Sequence, residues 1–138
     1  MIKKLGIESF PQRILINPTL KIVDESTISF REGCCSMHGF SAIVPRYKEI
    51  LVTYQNEKGE KIAWRAKNWT ARILQHEIDH LYGKIFLDNM VKASLEFNYW
   101  KQVNDRNGDF KLSFQGMTKM AKFNRYFWKG LIPKQGLS

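Results

Sequence analysis

The chain has 138 residues, of which 43% are hydrophobic and 25% charged, a composition that predicts one modest core rather than two. No apolar run approaches the roughly 20 residues that a membrane-spanning helix needs, and we expect no transmembrane segment and no secretory signal. The net charge of +9 is concentrated in residues 106–138, which carry seven basic residues and one acid. The opening ten residues are basic, but they are too short and too acidic to predict a transit peptide.

The first half of the chain is predicted to be extended. Residues 13–18 (RILINP) predict a short strand closed by an Asn-Pro turn, and residues 20–30 predict a further extended stretch. Residues 40–55 are rich in β-branched and aromatic side chains, and their internal proline favours two strands or one bent strand. Residues 56–59 (NEKG) are typical of a hairpin turn, and residues 60–66 predict the return strand.

A helical period follows. Asn68 is a plausible N-cap, Gly83 is a natural stop, and apolar residues recur between them at helical spacing: Trp69, Ile73, Leu74, Ile78 and Leu81. We expect this apolar face to bury the helix. A second helix is predicted over residues 92–104, a break over 106–110, and a third helix over 117–128.

These elements predict an α+β fold, in which antiparallel strands pack around a central helix and one or more helices follow at the C-terminus. We expect residues 1–105 to form the folded domain and residues 106–138 to form a basic tail that is partly helical or disordered. A basic tail interleaved with aromatic residues favours contact with ribosomal RNA or a membrane surface. The simpler alternative is a solvated tail.

The predicted central helix contains His-Glu-x-x-His (residues 76–80). Residues four apart lie on one helical face, so His76 and His80 can bind one metal ion together. Glu77 would then serve as a general base toward water. Without a further ligand, the same pattern is also compatible with two surface histidines.

The third ligand is open on spacing alone. Glu96 is the only glutamate after the motif and lies at a plausible distance for a zincin-like protease ligand. Cys34 follows a glycine turn and offers a thiolate, which binds zinc or ferrous iron strongly and would leave one coordination position open. Cys34 and Cys35 are adjacent, which makes a disulfide between them a poor structural link and favours reduced thiols or a metal-bound thiolate.

Two segments together resemble the signature motifs of the peptide deformylases. Residues 32–36 (EGCCS) are similar to the family's EGC-x-S, and residues 75–83 (QHEIDHLYG) are similar to QHE-x-DHL-x-G. RILINP and VPR also match in order, and the resemblance covers about residues 11–105, most like the mitochondrial type. The resemblance implies Cys34, His76 and His80 as metal ligands and Glu77 as the acid/base.

The resemblance also implies supporting roles. The backbone N–H of Cys35 would help to hold the developing oxyanion. Side chains that orient the ligands would be Arg72, Gln75 and Asp79, although Arg72 and Asp79 are also compatible with surface positions. Glu32 and Arg46 would form an ion pair at the Cys34 loop, and His38 would lie at the rim. Candidate walls of a methionine pocket, or otherwise ordinary core, are Phe40, Ile43, Val44 and Ile73.

The implied cofactor is one divalent metal ion, Fe²⁺ or Zn²⁺, with Co²⁺ or Ni²⁺ also possible. The implied substrates are N-formylmethionyl nascent peptides in the mitochondrion, and we expect no DNA partner. The family's first motif, G-x-G-x-A-A-x-Q, is not found in the 138 residues, and Gln12 is a poor substitute for its glutamine. Three interpretations therefore stand: an active deformylase, a catalytically weak metal-binding relative with a ribosome- or membrane-contacting tail, and a Glu96-ligated protease.

Overall fold

A computed structural model describes residues 11–109. Within this range, residues 11–100 belong to one compact unit and residues 101–109 to another. The elements, in chain order, are β1 (Ile16–Gly33), β2 (Phe40–Gln55), β3 (Lys61–Lys67), α1 (Asn68–Leu81), β4 (Glu96–Phe97) and α2 (Trp100–Asp105). Short 3-10 helices cover Cys35–Met37, Phe86–Asp88 and Lys92–Ser94. The α+β prediction is confirmed.

The sheet is antiparallel, with β2 between β1 and β3 and with β4 paired to the start of β2. The predicted turn at Asn17-Pro18 is wrong, because β1 runs on through both residues. Instead, the pairing of β1 with β2 shifts register between Ile16 and Thr19, where Asn17 has a φ of 49°. A proline is tolerated here because β1 is an edge strand and an irregularity needs fewer ladder hydrogen bonds.

β2 is one continuous strand across Pro45. This proline pairs with Ser29 on β1 and lies between the stretch of β2 that pairs with β4 and the stretch, from Glu49, that pairs with β3. The predicted turn after β2 is confirmed: Gly59, at φ 78°, donates its N–H to the Asn56 carbonyl at 2.9 Å. The return strand β3 then pairs with β2 from Gln55 back to Glu49.

The ends of α1 match the sequence at the C-terminus and differ at the N-terminus. Gly83 is left-handed at φ 70°, and the N–H groups of Gly83 and Lys84 donate to the carbonyls of His80 and Asp79, which confirms the predicted stop. The capping residue at the start is Lys67, and no side chain caps the helix there. The predicted N-cap Asn68 is therefore wrong by one position; Asn68 takes φ 52° as the first helical residue.

The buried face of α1 differs from the apolar face that the sequence predicts. Ile73 and Leu81 are 38% and 44% exposed, so the expectation that they bury the helix is wrong. The buried residues of α1 are Ala71, Arg72, Leu74, Gln75 and Ile78. Polar side chains occupy two of these positions because they have hydrogen-bond partners on β1 and β2. The main core lies between α1 and the sheet, with Ile50, Val52, Tyr54 and Ala66.

The predicted second helix over residues 92–104 is wrong for most of its length. The backbone at both ends of this stretch forms hydrogen bonds with β2 and the residue before it, rather than within a helix. Val91 N–H donates to the Ile43 carbonyl at 2.9 Å, and Asn98 N–H donates to the Gly39 carbonyl at 2.7 Å. Only Trp100–Asp105 is α-helical. Pairing with an existing strand outcompetes local helix propensity, which is a weak preference.

A second, smaller core lies beneath this wrapped segment. Phe86 is fully buried with Ala42 and Val44, and partly buried side chains pack around them: Cys34, Met37, Phe40, Leu87 and Met90. Within residues 11–109, no helix is long and apolar enough to cross a membrane. The predicted third helix over 117–128 and most of the predicted basic tail lie outside the described residues.

β1 leaves apolar side chains open on the core side of the sheet. Ile22, Ile28 and Phe30 are between 38% and 40% exposed, although their cross-strand partners on β2 are buried: Ile50, Arg46 and Val44. The helix α1 lies mainly over β2 and β3. An open apolar row therefore runs along β1 and reaches the region of Gly33.

We predict that Phe86→Ala lowers the free energy of unfolding by about 3–5 kcal/mol, because a fully buried ring is replaced by a cavity. Urea unfolding followed by tryptophan fluorescence measures the change. Tyr82→Ala, at a side chain that is 65% exposed, is the matched aromatic control and should shift stability by less than about 0.5 kcal/mol. A loss at Phe86 no larger than that at Tyr82 would contradict this description of the second core.

Candidate metal centre

Three side chains converge at one end of α1. The ligand atoms of Cys34, His76 and His80 all lie within 4.8 Å of one another, and the Cys34 Sγ is 3.3 Å from the His80 Nε2. The histidines lie one helical turn apart, with ring centroids separated by 4.8 Å and planes at 88°. The structure thus brings together the three residues predicted as metal ligands.

The loop between β1 and β2 presents the thiol. Gly33 pairs with Ser41 at the end of the strand ladder, and a 3-10 turn begins immediately afterwards. Within this turn Met37 N–H donates to the Cys34 carbonyl at 3.0 Å, and Ser36 N–H donates to the Cys34 Sγ at 3.4 Å. The contact with Ser36 restrains the direction in which the Cys34 Sγ points.

The geometry fits a divalent ion. Ligand bonds of about 2.0–2.3 Å in a tetrahedral site place neighbouring ligand atoms about 3.5 Å apart, which is close to the 3.3 Å between the Cys34 Sγ and the His80 Nε2. All three ligand atoms lie within 4.8 Å of one another. One thiolate with two imidazoles suits zinc or ferrous iron and leaves a position open for water or substrate. Glu96 does not belong to this group within residues 11–109; its carboxylate lies 2.6 Å from Arg31.

Glu32 connects the cluster to the rest of the fold. Its carboxylate accepts two hydrogen bonds from Arg46, at 3.1 and 3.0 Å, and one from Arg72 at 2.5 Å. The His76 Nδ1 lies 3.1 Å from the same carboxylate. The side chains of Glu32, Arg46 and Arg72 are each at most 7% exposed. The predicted Glu32–Arg46 ion pair is confirmed, and Arg72 is buried within it rather than at the surface.

The charge network sets the protonation of His76. Burial raises the pKa of Glu32, but hydrogen bonds with His76 and Arg46 outweigh it and hold the pKa at about 2. In the metal-free site, the hydrogen bond to Glu32 raises the pKa of His76 to about 9, against the effect of burial. An ionised carboxylate only accepts, so the His76 Nδ1 carries a proton in both charge states, and the Nε2 is the nitrogen that would bind a metal once it has lost its own proton.

His80 is oriented in the same way by a carbonyl. Its Nδ1 donates to the Lys84 carbonyl oxygen at 3.0 Å, within the turn that ends α1. The glycine stop at Gly83 therefore has a role at the site, because it brings this carbonyl back to the helix. The His80 Nε2 then faces the Cys34 Sγ.

Asp79 and Gln75 attach α1 to β2, as the resemblance predicts for ligand-orienting residues. Asp79 lies 2.5 Å from Arg46 and accepts a further hydrogen bond from Asn89 at 3.0 Å. The Gln75 amide bonds the backbone of Tyr47 in both directions, at 3.0 and 2.9 Å. These contacts fix the rotation of the helix about its axis, and hence the direction in which the histidines point.

A cavity of about 260 Å³ opens beside the cluster. Its lining includes Gly33, His76 and the exposed Glu77, with Trp69 and Ile73 as apolar wall. Of the candidate pocket residues, Ile73 lines this cavity, whereas Val44 is fully buried in the second core and Phe40 packs against that core. Trp69 follows the same helical spacing as the core residues Leu74 and Ile78, and no local signal separates a cavity wall from core.

Two other predicted site residues, Cys35 and His38, are not members of the ligand group within residues 11–109. Cys35 is exposed, and both cysteines are free thiols. The oxyanion role of the Cys35 backbone N–H stays a prediction. The exposed His38 bonds the Tyr99 hydroxyl at 3.2 Å and does not join the ligand group. The fold and the cluster define the class: an α+β domain with a Cys–His–His ligand set beside a helical glutamate.

Comparison with known proteins specifies the family. The family model for polypeptide deformylase matches residues 2–96. The chain belongs to the polypeptide deformylase family. The matched range includes β1, the Cys34 loop and the whole of α1.

Individual proteins that match the chain are also named peptide deformylases. The chain is 42% identical over 99 residues to the human mitochondrial peptide deformylase. This match covers 72% of the chain and 41% of the human protein. It is 45% identical over 82 residues to peptide deformylase 1A, chloroplastic/mitochondrial, of Arabidopsis thaliana, covering 59% of this chain and 30% of that protein. Bacterial deformylases also match, including one from Bifidobacterium longum at 37% identity. The chain thus spans less than half the length of these relatives.

Among solved structures, a Plasmodium falciparum peptide deformylase in complex with inhibitor superposes with a TM-score of 0.57 at 32% identity. The match covers 68% of this chain and 58% of that one. The Thermotoga maritima peptide deformylase gives 0.53 at 37% identity, covering 55% of this chain and 52% of that one.

We predict that Glu32→Gln lowers the free energy of unfolding by about 3–5 kcal/mol, because it leaves the buried Arg72 without its carboxylate partner and removes one of the two carboxylates that pair with the buried Arg46. Chemical unfolding at neutral pH measures the loss. The matched control is Glu49→Gln, whose cationic partners Arg65 and Lys67 are mostly exposed, and its unfolding midpoint should stay near wild type. Equal losses in the two variants would contradict the role given to the Glu32 network.

Proposed function

We propose that the protein is a metal-dependent hydrolase that removes the formyl group from the N-terminal formylmethionine of newly made peptides and releases formate. The observation that supports this most is the convergence of Cys34, His76 and His80 beside Glu77, within the stretch that matches the family. Membership of the family supports the substrate class, and the apolar cavity wall of Trp69 and Ile73 suits a methionine side chain.

A divalent ion held by Cys34, His76 and His80 would polarise the formyl carbonyl and lower the pKa of a water molecule. Glu77 takes a proton from the attacking water as the new C–O bond forms at the formyl carbon. The Cys35 backbone N–H donates to the developing oxyanion. Glu77 then passes the proton to the amine nitrogen as the C–N bond breaks, which yields formate and a free N-terminus.

The metal and the compartment are part of the same proposal. Fe²⁺ and Zn²⁺ are the favoured ions for this donor set, and Co²⁺ or Ni²⁺ would also bind. Relatives named as mitochondrial support a mitochondrial substrate pool, in which nascent peptides are the partners. The bacterial matches show that the family itself is not confined to organelles.

The second candidate is a metal-binding relative with weak catalysis. It would share the metal ligands of the first candidate but would lack one of the oxyanion donors. Loss of one oxyanion donor costs on the order of 10²–10³ in rate. In that case the net charge of +6 in residues 106–138 would favour a binding role at ribosomal RNA or a membrane surface.

The proposal predicts formate release from formyl-Met-Ala-Ser by the cobalt-loaded full chain at rates above free Co²⁺. Glu77→Gln should lose about 10²–10⁴ in rate while it retains the metal, because it removes the acid/base and no ligand. Glu57→Gln, at an exposed glutamate in the hairpin turn, should match wild type. Stoichiometric metal with no turnover above free Co²⁺ would contradict the proposed activity and favour the second candidate.

A further inference from the structure

The loop that carries the thiol ligand, residues 34–39, is in contact with residues 95–99. Phe97 pairs with Phe40 in the β4–β2 ladder, at the position that follows the loop. Asn98 N–H donates to the Gly39 carbonyl at 2.7 Å. The Tyr99 hydroxyl lies 3.2 Å from the His38 Nε2. Backbone and side-chain contacts thus both reach the end of the loop opposite Cys34.

Segment 95–99 is itself fixed to the end of β1 by a polar network. Ser41 donates to the Asn98 side-chain oxygen at 2.7 Å, and Arg31 donates to Ser41 at 3.0 Å. Arg31 also forms an ion pair with Glu96 at 2.6 Å. The segment therefore spans from β1 to the far end of the loop.

Gly39 is the point of closest approach. It is buried, at φ 87°, and an added Cβ would lie 3.2 Å from the rings of both Phe97 and Tyr99. The two rings contact each other, with centroids 5.7 Å apart. An added Cβ would require both rings to shift by a few tenths of an ångström, and the positive φ strains any other residue, so this close contact favours glycine.

The three metal ligands are held in two different ways. His76 and His80 are fixed on α1 by the main core and by the bonds of Glu32 and Lys84. Cys34 is on a loop whose position depends on what contacts it. Cys34 and Met37 pack against the second core, and His38 and Gly39 contact segment 95–99.

We infer that segment 95–99 positions Cys34 relative to the two histidines, and that Gly39, Phe97 and Tyr99 determine metal affinity without touching the metal. This inference rests on the proposed metal site. A loop free to move would lose entropy each time its thiolate binds, whereas a loop already held by the segment does not. Residues that orient a ligand typically change metal affinity by about 10–100-fold when substituted.

Cobalt titration of the full-length chain tests the inference. Gly39→Ala should weaken Co²⁺ affinity about tenfold, measured by competition with a chelator, and should reduce the thiolate-to-cobalt absorption band. Gly59→Ala is the matched control, because Gly59 has a similar φ of 78° but nothing within 4 Å of the added Cβ. Both variants carry the same backbone strain and should lose thermal stability, but Gly59→Ala should keep wild-type cobalt affinity and spectrum.

Phe97→Ala removes the ring without straining the backbone and should act in the same direction as Gly39→Ala. It keeps the test decisive if Gly39→Ala does not fold. Wild-type affinity and band intensity in Phe97→Ala, or in a folded Gly39→Ala, would overturn the positioning role alone. A wild-type chain that shows no thiolate-to-cobalt band would overturn the proposed metal site as well.

Discussion

A carboxylate buried with two guanidinium groups and an imidazole is costly unless every partner is in place. Glu32 meets this condition by joining β1 to Arg46 on β2 and to Arg72 and His76 on α1. The network therefore forms only when strand, sheet and helix are all in their native positions. Glu32 also lies two residues before Cys34. The hydrogen bonds of Glu32 that attach α1 to the sheet therefore also fix the position of the first residue of the Cys34 loop.

Each part of the fold contributes one element of the site. The main core and the Gln75–Tyr47 bonds set the rotation of α1, and the glycine stop supplies the carbonyl that orients His80. The wrapped segment after α1 covers the second core and reaches the far end of the Cys34 loop. All of these elements up to residue 96 lie in the stretch matched by the family model, although that stretch is less than half of the human relative.

The sequence predicted the features that depend on local chemistry. Two histidines at i and i+4, the Asn56–Gly59 turn and the Gly83 stop all follow from spacing and backbone preference, and family motifs identified Cys34. What it left open or predicted wrongly depends on distant partners. Arg72 is buried because Glu32 lies 40 residues away in sequence and beside it in space. Residues 92–98 leave the helix that their pattern favours because β2 offers them backbone bonds.

The central claim is that one divalent ion is bound by one sulfur and two imidazole nitrogens, with the thiolate from the loop and the nitrogens from α1. X-ray absorption at the zinc edge of the full-length, zinc-loaded chain tests it most directly. We expect one sulfur at about 2.3 Å and two imidazole nitrogens at about 2.0–2.1 Å, with the sulfur lost in Cys34→Ala. A first shell of nitrogen and oxygen only, unchanged by Cys34→Ala, would contradict the account.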